Sequence, residues 1–411
     1  MPSLVGASPL PVASSASAAP AAPAISVRVC TTPADLVRFQ TAWSELARTA
    51  LAPNSFYEPW MLMPALEAFG AGTAFRFVLV FRGDPGKPAE SPPLIGFFPL
   101  HERRRFKGLP LRTLALWKHL HCFLCTPLLH RDHAGEALDA FFNWTRTGKN
   151  PRLIEFPLVQ ADGPFQAALH GVLRERGHLS FLDELYHRAL LQCGAAAESY
   201  LAETLSTGNR KELRRQRRRL GEQGTLEFRT WGQEPHDDLE RWIEDFLTLE
   251  AAGWKGREGT ALASASAERA YFRRIAHGAA ERGQLSMLGF FLNNRPIALK
   301  CNFLSPPGGF AFKIAFDESL SRFSPGVQLE LENVCLAHAQ GLQWLDSCAI
   351  PRHFMINRLW RERRAVQTLW ISTGGIVADL LVGALPFVRA LRRLGRRPSK
   401  PSLDLTQGTE R

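Results

Sequence analysis

The sequence predicts an α/β (α+β) chain built as two similar halves, each a mixed, mostly antiparallel sheet flanked by helices. Three observations lead there. Residues 284–348 read as strand, strand, strand, loop, helix, strand, which makes a complete small folding unit. Earlier in the chain, FRFVLVFRG followed by PLIGFFPLHERRR echoes LSMLGFFLNN followed by RPIALKCNFL, as an internal duplication would. With 45% hydrophobic content, 411 residues are enough to bury a core in each of two domains.

Residues 1–25 are mainly Ala, Pro, Ser and Val and read as a disordered tail. The first basic residue is Arg28, so the positive n-region of a secretory signal is missing. The first half, residues 26–180, opens on a helix over 33–49, where Leu36, Phe39, Trp43 and Leu46 recur at helical spacing. Residues 54–60 lead into a second short helix. Two β-prone runs, 75–81 and 94–101, flank a loop rich in Pro and Gly and form a strand pair. His119, His121, Cys122, Cys125, His130 and His133 gather residue types that bind metals. Cys122-x-x-Cys125 has no second Cys pair at zinc-ribbon spacing, so the expectation is no metal, with the cysteines as small core residues of a Leu-rich strand ending at 126–127. A strand over 152–158 and a helix over 163–176 complete this half.

The second half, residues 181–365, carries NRKELRRQRRRLGEQG, with seven basic residues against one acid between Arg210 and Arg219 and with Leu213 and Leu220 as the inward seam. Such a helix is either a solvated face or an anion-binding one. The run 237–251 places Ile243, Leu247 and Glu250 on one helical stripe. Next, 285–292 and 296–304 pair across Asn293-Asn294-Arg295, a turn rich in residues that tolerate positive φ. A third strand over 310–316, a loop, and a helix through Val327, Leu331 and Val334 follow, with Gly341 as its C-cap and a short buried strand over 342–345. The last segment, 366–411, is an apolar and then basic tail. Its run 369–388 reaches the ~20 residues that span a bilayer, but Asp379 sits at its centre, basic clusters flank both ends, and Gly374, Gly375 and Pro386 weaken a helix. A helix lying in an anionic membrane interface, with Ile376, Leu380 and Phe387 dipping in, and a helix packed on the domain are the two readings left for it.

The order of the second half, with the wording FAFKIAFDESLSRFSPGVQLELE and GLQWLDSCAIPRHFMINRLWRERR, resembles the GNAT superfamily of N-acetyltransferases, and within it the cellulose-biosynthesis (CelD-like) branch. The resemblance extends over residues 55–395. The chain departs from the usual phosphate loop, Arg/Gln-x-x-Gly-x-Gly/Ala, because Arg322-Phe323-Ser324-Pro325-Gly326-Val327 keeps a single glycine. Fem-type peptidoglycan bridge-forming transferases, also tandem GNAT folds, carry a comparable basic helix, and there the anion includes a tRNA.

The resemblance implies transfer from acetyl-CoA or another acyl-CoA to an amine acceptor, on a sugar or polysaccharide precursor. Main-chain groups of Phe312, Lys313 and Ile314 would take the pantetheine arm and the oxyanion, while Ser324, Gly326, Val327 and Gln328 would hold the pyrophosphate at a helix N-terminus. Glu250, desolvated beside its apolar stripe, is expected to have a raised pKa and serve as general base, in competition with an ion pair to Lys255 or Arg257. Asp346 at the end of a buried strand and His353 are the other catalytic candidates. Trp254, Lys255, Arg257, Asn357 and Trp360 are expected on the acceptor side.

A formal charge of +11 favours an anionic partner, and seven scattered cysteines suit a reducing cytoplasm. The expected setting is therefore cytoplasmic, with no nucleic-acid partner and, in the interfacial reading of the tail, peripheral contact with the inner face of an anionic membrane through residues 366–395. Two rivals remain: a non-catalytic tandem-GNAT scaffold, favoured by the single-glycine loop, and an aminoacyl-tRNA-dependent transferase, favoured by the basic helix. No Gly-x-Ser-x-Gly, His-Glu-x-x-His or P-loop motif occurs.

Overall fold

The computed structural model describes residues 24–85, 92–194, 196–233 and 237–395. Most of the tail predicted over 1–25, and the end of the segment 366–411, lie outside these residues. Among the described residues thirteen strands form one sheet: β1 (Ile25–Cys30), β2 (Phe75–Arg82), β3 (Leu94–Arg103), β4 (Thr113–Leu116), β5 (Leu128–Leu129), β6 (Leu153–Gln160), β7 (Ser180–Gln192), β8 (Leu226–Thr230), β9 (Leu285–Leu292), β10 (Arg295–Ser305), β11 (Gly308–Phe316), β12 (Trp344–Asp346) and β13 (Glu362–Ser372). Their order is β1-β2-β3-β4-β6-β13-β7-β12-β11-β10-β9-β8, with β5 on β3.

The order contains a repeat. In each half four strands run antiparallel and the fourth then pairs in parallel with a fifth, β4 with β6 and β11 with β12. The strands that echo one another in sequence, β2 and β3 against β9 and β10, are the second and third strands of their halves. The echo therefore marks topological equivalents: near-continuous apolar runs, buried on both faces, occupy the same position twice. The β9–β10 turn forms as its residues predict, with Asn293 and Asn294 at φ 51° and 65°. Gly341, at φ 67°, follows the helix Pro325–Ala339.

The final strand of each half crosses into the other. β13 lies between β6 and β7, and β7 lies between β13 and β12. Of the predicted boundaries, 180/181 falls at the start of β7 and 365/366 falls inside β13. Residues of β13 such as Val366, Leu369 and Ile371 are buried at the centre of the sheet, because backbone in the middle of a sheet has ladder partners on both sides and its side chains have a core on each face. The apolar run 369–388 is thus two elements. Gly374 and Gly375, at φ 107° and 99°, turn the chain from β13 into the helix Ile376–Gly395. Among the described residues no helix is long and apolar enough to cross a membrane. The expected Leu-rich strand before 126–127 is also absent, since residues 122–127 are irregular chain.

One core spans both halves. Phe56 meets Phe310 edge-on at 5.1 Å between ring centroids, and Trp60 meets Phe303 at 5.4 Å. The first half therefore packs on the face of β10 and β11 that also receives the helices Leu239–Ala252 and Ser266–Ala280. On the opposite face lies the helix Pro325–Ala339. Where β11 begins, a Cβ on Gly308 would come within 2.2 Å of the Trp344 ring on β12. Gly308→Ala is accordingly expected to destabilise the protein by about 1–3 kcal/mol through overpacking, read as a lower urea midpoint with an unchanged m-value.

Candidate active site

In the second half the sheet opens where β11 leaves its neighbour β12. β12 pairs with it over three residues only, Gly308 to Phe310 against Trp344 to Asp346, and then stops. On the other edge the β10 ladder shifts, so that Cys301 faces Lys313 and Asn302 faces Ala311, which leaves Phe312 without a partner. A bulge of this kind re-aims side chains and exposes backbone groups. Because of it, Phe312 and Lys313 are both directed to the face covered by the helices Leu239–Ala252 and Ser266–Ala280, where Phe312 joins the shared core and Lys313 meets Glu250. On the opposite face Lys300 pairs with Glu330 at 2.8 Å, and Asn302 donates to Asn333, which donates to Glu330. Asn302 Oδ1 remains buried without a hydrogen-bond partner.

Past β11 the chain makes a turn of 3-10 helix, Glu318–Phe323, places Ser324 in the left-handed region at φ 51° and ψ 50°, and enters the helix at Pro325. Pro325 has no N–H to orphan and suits that first helical position. Gly326 is buried, and a Cβ there would lie 3.0 Å from the Phe316 ring, which explains the one glycine the loop retains. The basic helix, Thr207–Gly221, runs beside this turn. Gln328 Nε2 donates to the Leu213 carbonyl at 2.8 Å, and Arg217 pairs with Glu332 while its guanidinium lies 5.0 Å over the Phe290 ring. Ser324, Gly326, Val327 and Gln328 are thus together at a helix N-terminus, and the basic helix beside it carries exposed Lys211, Arg214 and Arg218. Gln328 itself is occupied by the contact between the two helices.

Glu250 is buried as its stripe position predicts, but its pKa moves the other way. Burial pushes the carboxyl up. Lys255 Nζ at 3.0 Å, Lys313 Nζ at 3.3 Å and the Leu262 N–H at 2.8 Å outweigh this and hold it below the ordinary glutamate value. It is an ionised counter-ion and a weak base. Lys313 is the group shifted toward neutrality: burial lowers its pKa, and Glu250 offsets that only in part. Lys255 also reaches the Ile314 carbonyl at 3.4 Å. The first half adds His121, whose Nε2 lies 2.8 Å from Glu268; burial, then the charge of Lys313, lowers its pKa.

The other predicted residues divide differently. Asp346 is fully buried and binds Arg188 at 2.7 Å, Arg364 at 2.8 Å and the Cys348 N–H at 3.0 Å. Burial would raise its carboxyl, but the two guanidiniums hold it low. Since it ties β12 to β7 and β13 and has no free oxygen for chemistry, the catalytic expectation is corrected to a structural one. Trp360 is fully buried in the core beneath β7 and β12, so it is no acceptor-side residue. Asn357 donates to the Pro351 carbonyl at 2.8 Å, and the His353 ring accepts from the Ile356 N–H at 3.4 Å; both organise the turn after β12. Burial and Lys300 lower the His353 pKa. Trp254 is half exposed, and its N–H donates to Glu318, which also binds Arg257 at 2.7 Å. These two residues fasten their segment to the turn after β11.

Sequence reasoning missed His121 and Glu268 as neighbours of Lys313. His121 stood out only as a metal-like residue, and Glu268 lies on a helix with no local signal. Among the described residues no group of three His, Cys, Asp or Glu is placed to hold a metal. A cavity of about 440 Å³ lies elsewhere, against the start of β11 and β12, lined by Pro53, Arg131, Gln160, Pro307, Trp344 and Arg364.

Residues 207–354 match the family model described as an acetyltransferase (GNAT) domain. No curated protein sequence matches the chain. Among solved structures, FemX superposes with a TM-score of 0.51 at 11% identity, covering 84% of this chain and 98% of FemX. A conserved protein of unknown function from Bacteroides thetaiotaomicron gives 0.49 at 12% identity, over 83% of this chain and 98% of its own. At such identity the first likeness speaks for the fold alone. The span from the basic helix to the turn after β12 is similar to a GNAT acetyltransferase domain, and the chain around it is similar in fold to FemX.

Proposed function

We propose that the second half is an acyl-CoA-dependent N-acyltransferase, with acetyl-CoA as donor and an amine on a sugar or polysaccharide precursor as acceptor. The observation that carries this is the opening between β11 and β12: a bulged strand, parted from its parallel neighbour after three residues, ends at a helix N-terminus inside the GNAT-matched span. In this reading the thioester lies along β11 with its carbonyl at the bulge, and the pyrophosphate meets the N–H groups of Gly326 and Val327. The acceptor amine attacks the carbonyl carbon, the C–S bond breaks, and CoA leaves as the thiolate. Lys313 in its neutral form takes the proton the amine sheds, and Glu250 stabilises the resulting ammonium. The resemblance to the cellulose-biosynthesis branch supports the sugar acceptor, and seven cysteines without a disulfide suit a cytoplasmic setting.

Titration calorimetry with acetyl-CoA tests this. Ser324→Asp adds a carboxylate where the pyrophosphate would sit, while Asp tolerates the left-handed region and favours a helix N-terminus. It is expected to leave the thermal midpoint in place and weaken acetyl-CoA by about tenfold. A flat titration for the parent would favour the scaffold reading. The basic helix beside the same loop favours a second reading with an aminoacyl-tRNA donor, for which the parent would bind tRNA with a steep salt dependence and ignore acetyl-CoA.

A further inference from the structure

The helix Ile376–Gly395 has two apolar faces, and the protein covers only one. Ala378, Val382 and Leu385 are buried against Phe106, Leu153 and Trp370. On the other side Ile376 (80% exposed), Leu380 (68%), Phe387 (72%) and Leu391 (67%) form a water-facing stripe about 22 Å long at 1.5 Å per residue. Val377, Gly383, Ala384 and Val388, also exposed, fill and flank it. No charge interrupts the stripe. Asp379 is bonded to Ser372 Oγ at 2.6 Å, and Arg389 reaches back to the Leu182 carbonyl at 2.9 Å.

Positive charge lies around this face. The loop that brings Phe106 to the helix also carries exposed Arg104, Arg105 and Lys107, with Leu109 exposed beside them. Lys107 pairs with Asp183. In sequence, residues 386–400 contain six basic residues, Arg389, Arg392, Arg393, Arg396, Arg397 and Lys400, and no acid. A second copy of the chain, itself carrying a formal charge of +11, would be repelled by this basic rim, whereas an anionic bilayer offers acyl chains to the stripe and phosphates to its rim.

We infer that this face seats the protein on an anionic lipid bilayer, with the helix lying in the head-group plane. The inference is independent of the acyl-transfer reading and stands or falls separately from it.

Flotation of the full chain with vesicles tests it. The parent should float with vesicles of phosphatidylglycerol and phosphatidylcholine, less so as salt rises, and should stay behind with phosphatidylcholine alone. Leu380→Ser with Phe387→Ser, both at exposed positions, should keep the thermal midpoint and reduce the bound fraction by about tenfold or more. Arg104→Glu with Arg105→Glu should reduce binding by about fivefold for each arginine. A parent that ignores anionic vesicles overturns the inference, as does a serine pair that floats like the parent. It is also overturned if the parent elutes as a dimer that the serine pair converts to monomers, with neither protein floating; the face would then be a self-association surface.

Discussion

Asp346→Ala is expected to lower the unfolding free energy by about 3–5 kcal/mol, because it leaves two buried guanidiniums without their counter-charge. Arg188 is almost wholly buried and Arg364 nearly so, and both place a nitrogen within 2.8 Å of the same carboxylate oxygen. Arg188 also donates to the Phe123 carbonyl at 2.6 Å, so the loss reaches into the first half. The pH dependence has a definite sign. The folded carboxyl is held below its ordinary value, so its contribution is fully present above the unfolded pKa of about 3.9 and disappears as pH falls through the folded value. Urea titrations across the acid range should therefore show a component of acid destabilisation in the parent that Asp346→Asn lacks. If Asp346→Ala unfolds at the parent's midpoint, the triad does not hold β7, β12 and β13 together.

The second large effect concerns turnover. Lys313→Met is expected to lower the rate of acyl transfer by about 10²–10⁴-fold, the usual range for loss of a proton-accepting group. Lys313→Arg distinguishes two roles for the same side chain. Arginine retains the positive charge and stays protonated, so it would preserve a role in stabilising the oxyanion and abolish one in taking the proton. The proposed role predicts that Lys313→Arg is as impaired as Lys313→Met. In the parent the rate should rise with pH through the Lys313 pKa, which burial has brought below the ordinary lysine value, and both variants should lose that limb. A Lys313→Arg enzyme with parental turnover would remove the base assignment while leaving the acyl-transfer reading intact.

Glu250 shows how a burial argument from sequence goes wrong by half. The stripe of Ile243 and Leu247 correctly places the carboxylate inside. Its pKa depends on what else is inside, and Lys313 arrives from a strand 63 positions away. A helical wheel sees its own helix only, so it registers the desolvation and misses the charges. Asp346 is a parallel case. The end of a buried strand is a plausible place for a functional carboxylate, but its two partners come from β7, which pairs with β12, and from β13 on the far side of β7, an order that arises only because the halves exchange their last strands.

The sequence by itself determined the strands and helices whose pattern is local. The apolar, β-prone runs of β2, β3, β9 and β10, the Asn293-Asn294 turn and the helix after Pro325 all follow from spacing and turn chemistry within a few residues, and the echo between the two strand pairs is legible in the same runs. The two apolar sides of the last helix were legible in part for the same reason, since Ile376, Leu380 and Phe387 share a stripe whatever covers the other side. Tertiary structure alone decided the rest: that residues 366–372 belong to a central strand rather than a tail, that His121 and Glu268 stand by Lys313, and that Glu250 is an ion-paired anion. Each depends on contacts between distant segments. The free energy of a charge, or of an apolar run, is set by the partners that enclose it, and local sequence does not name them.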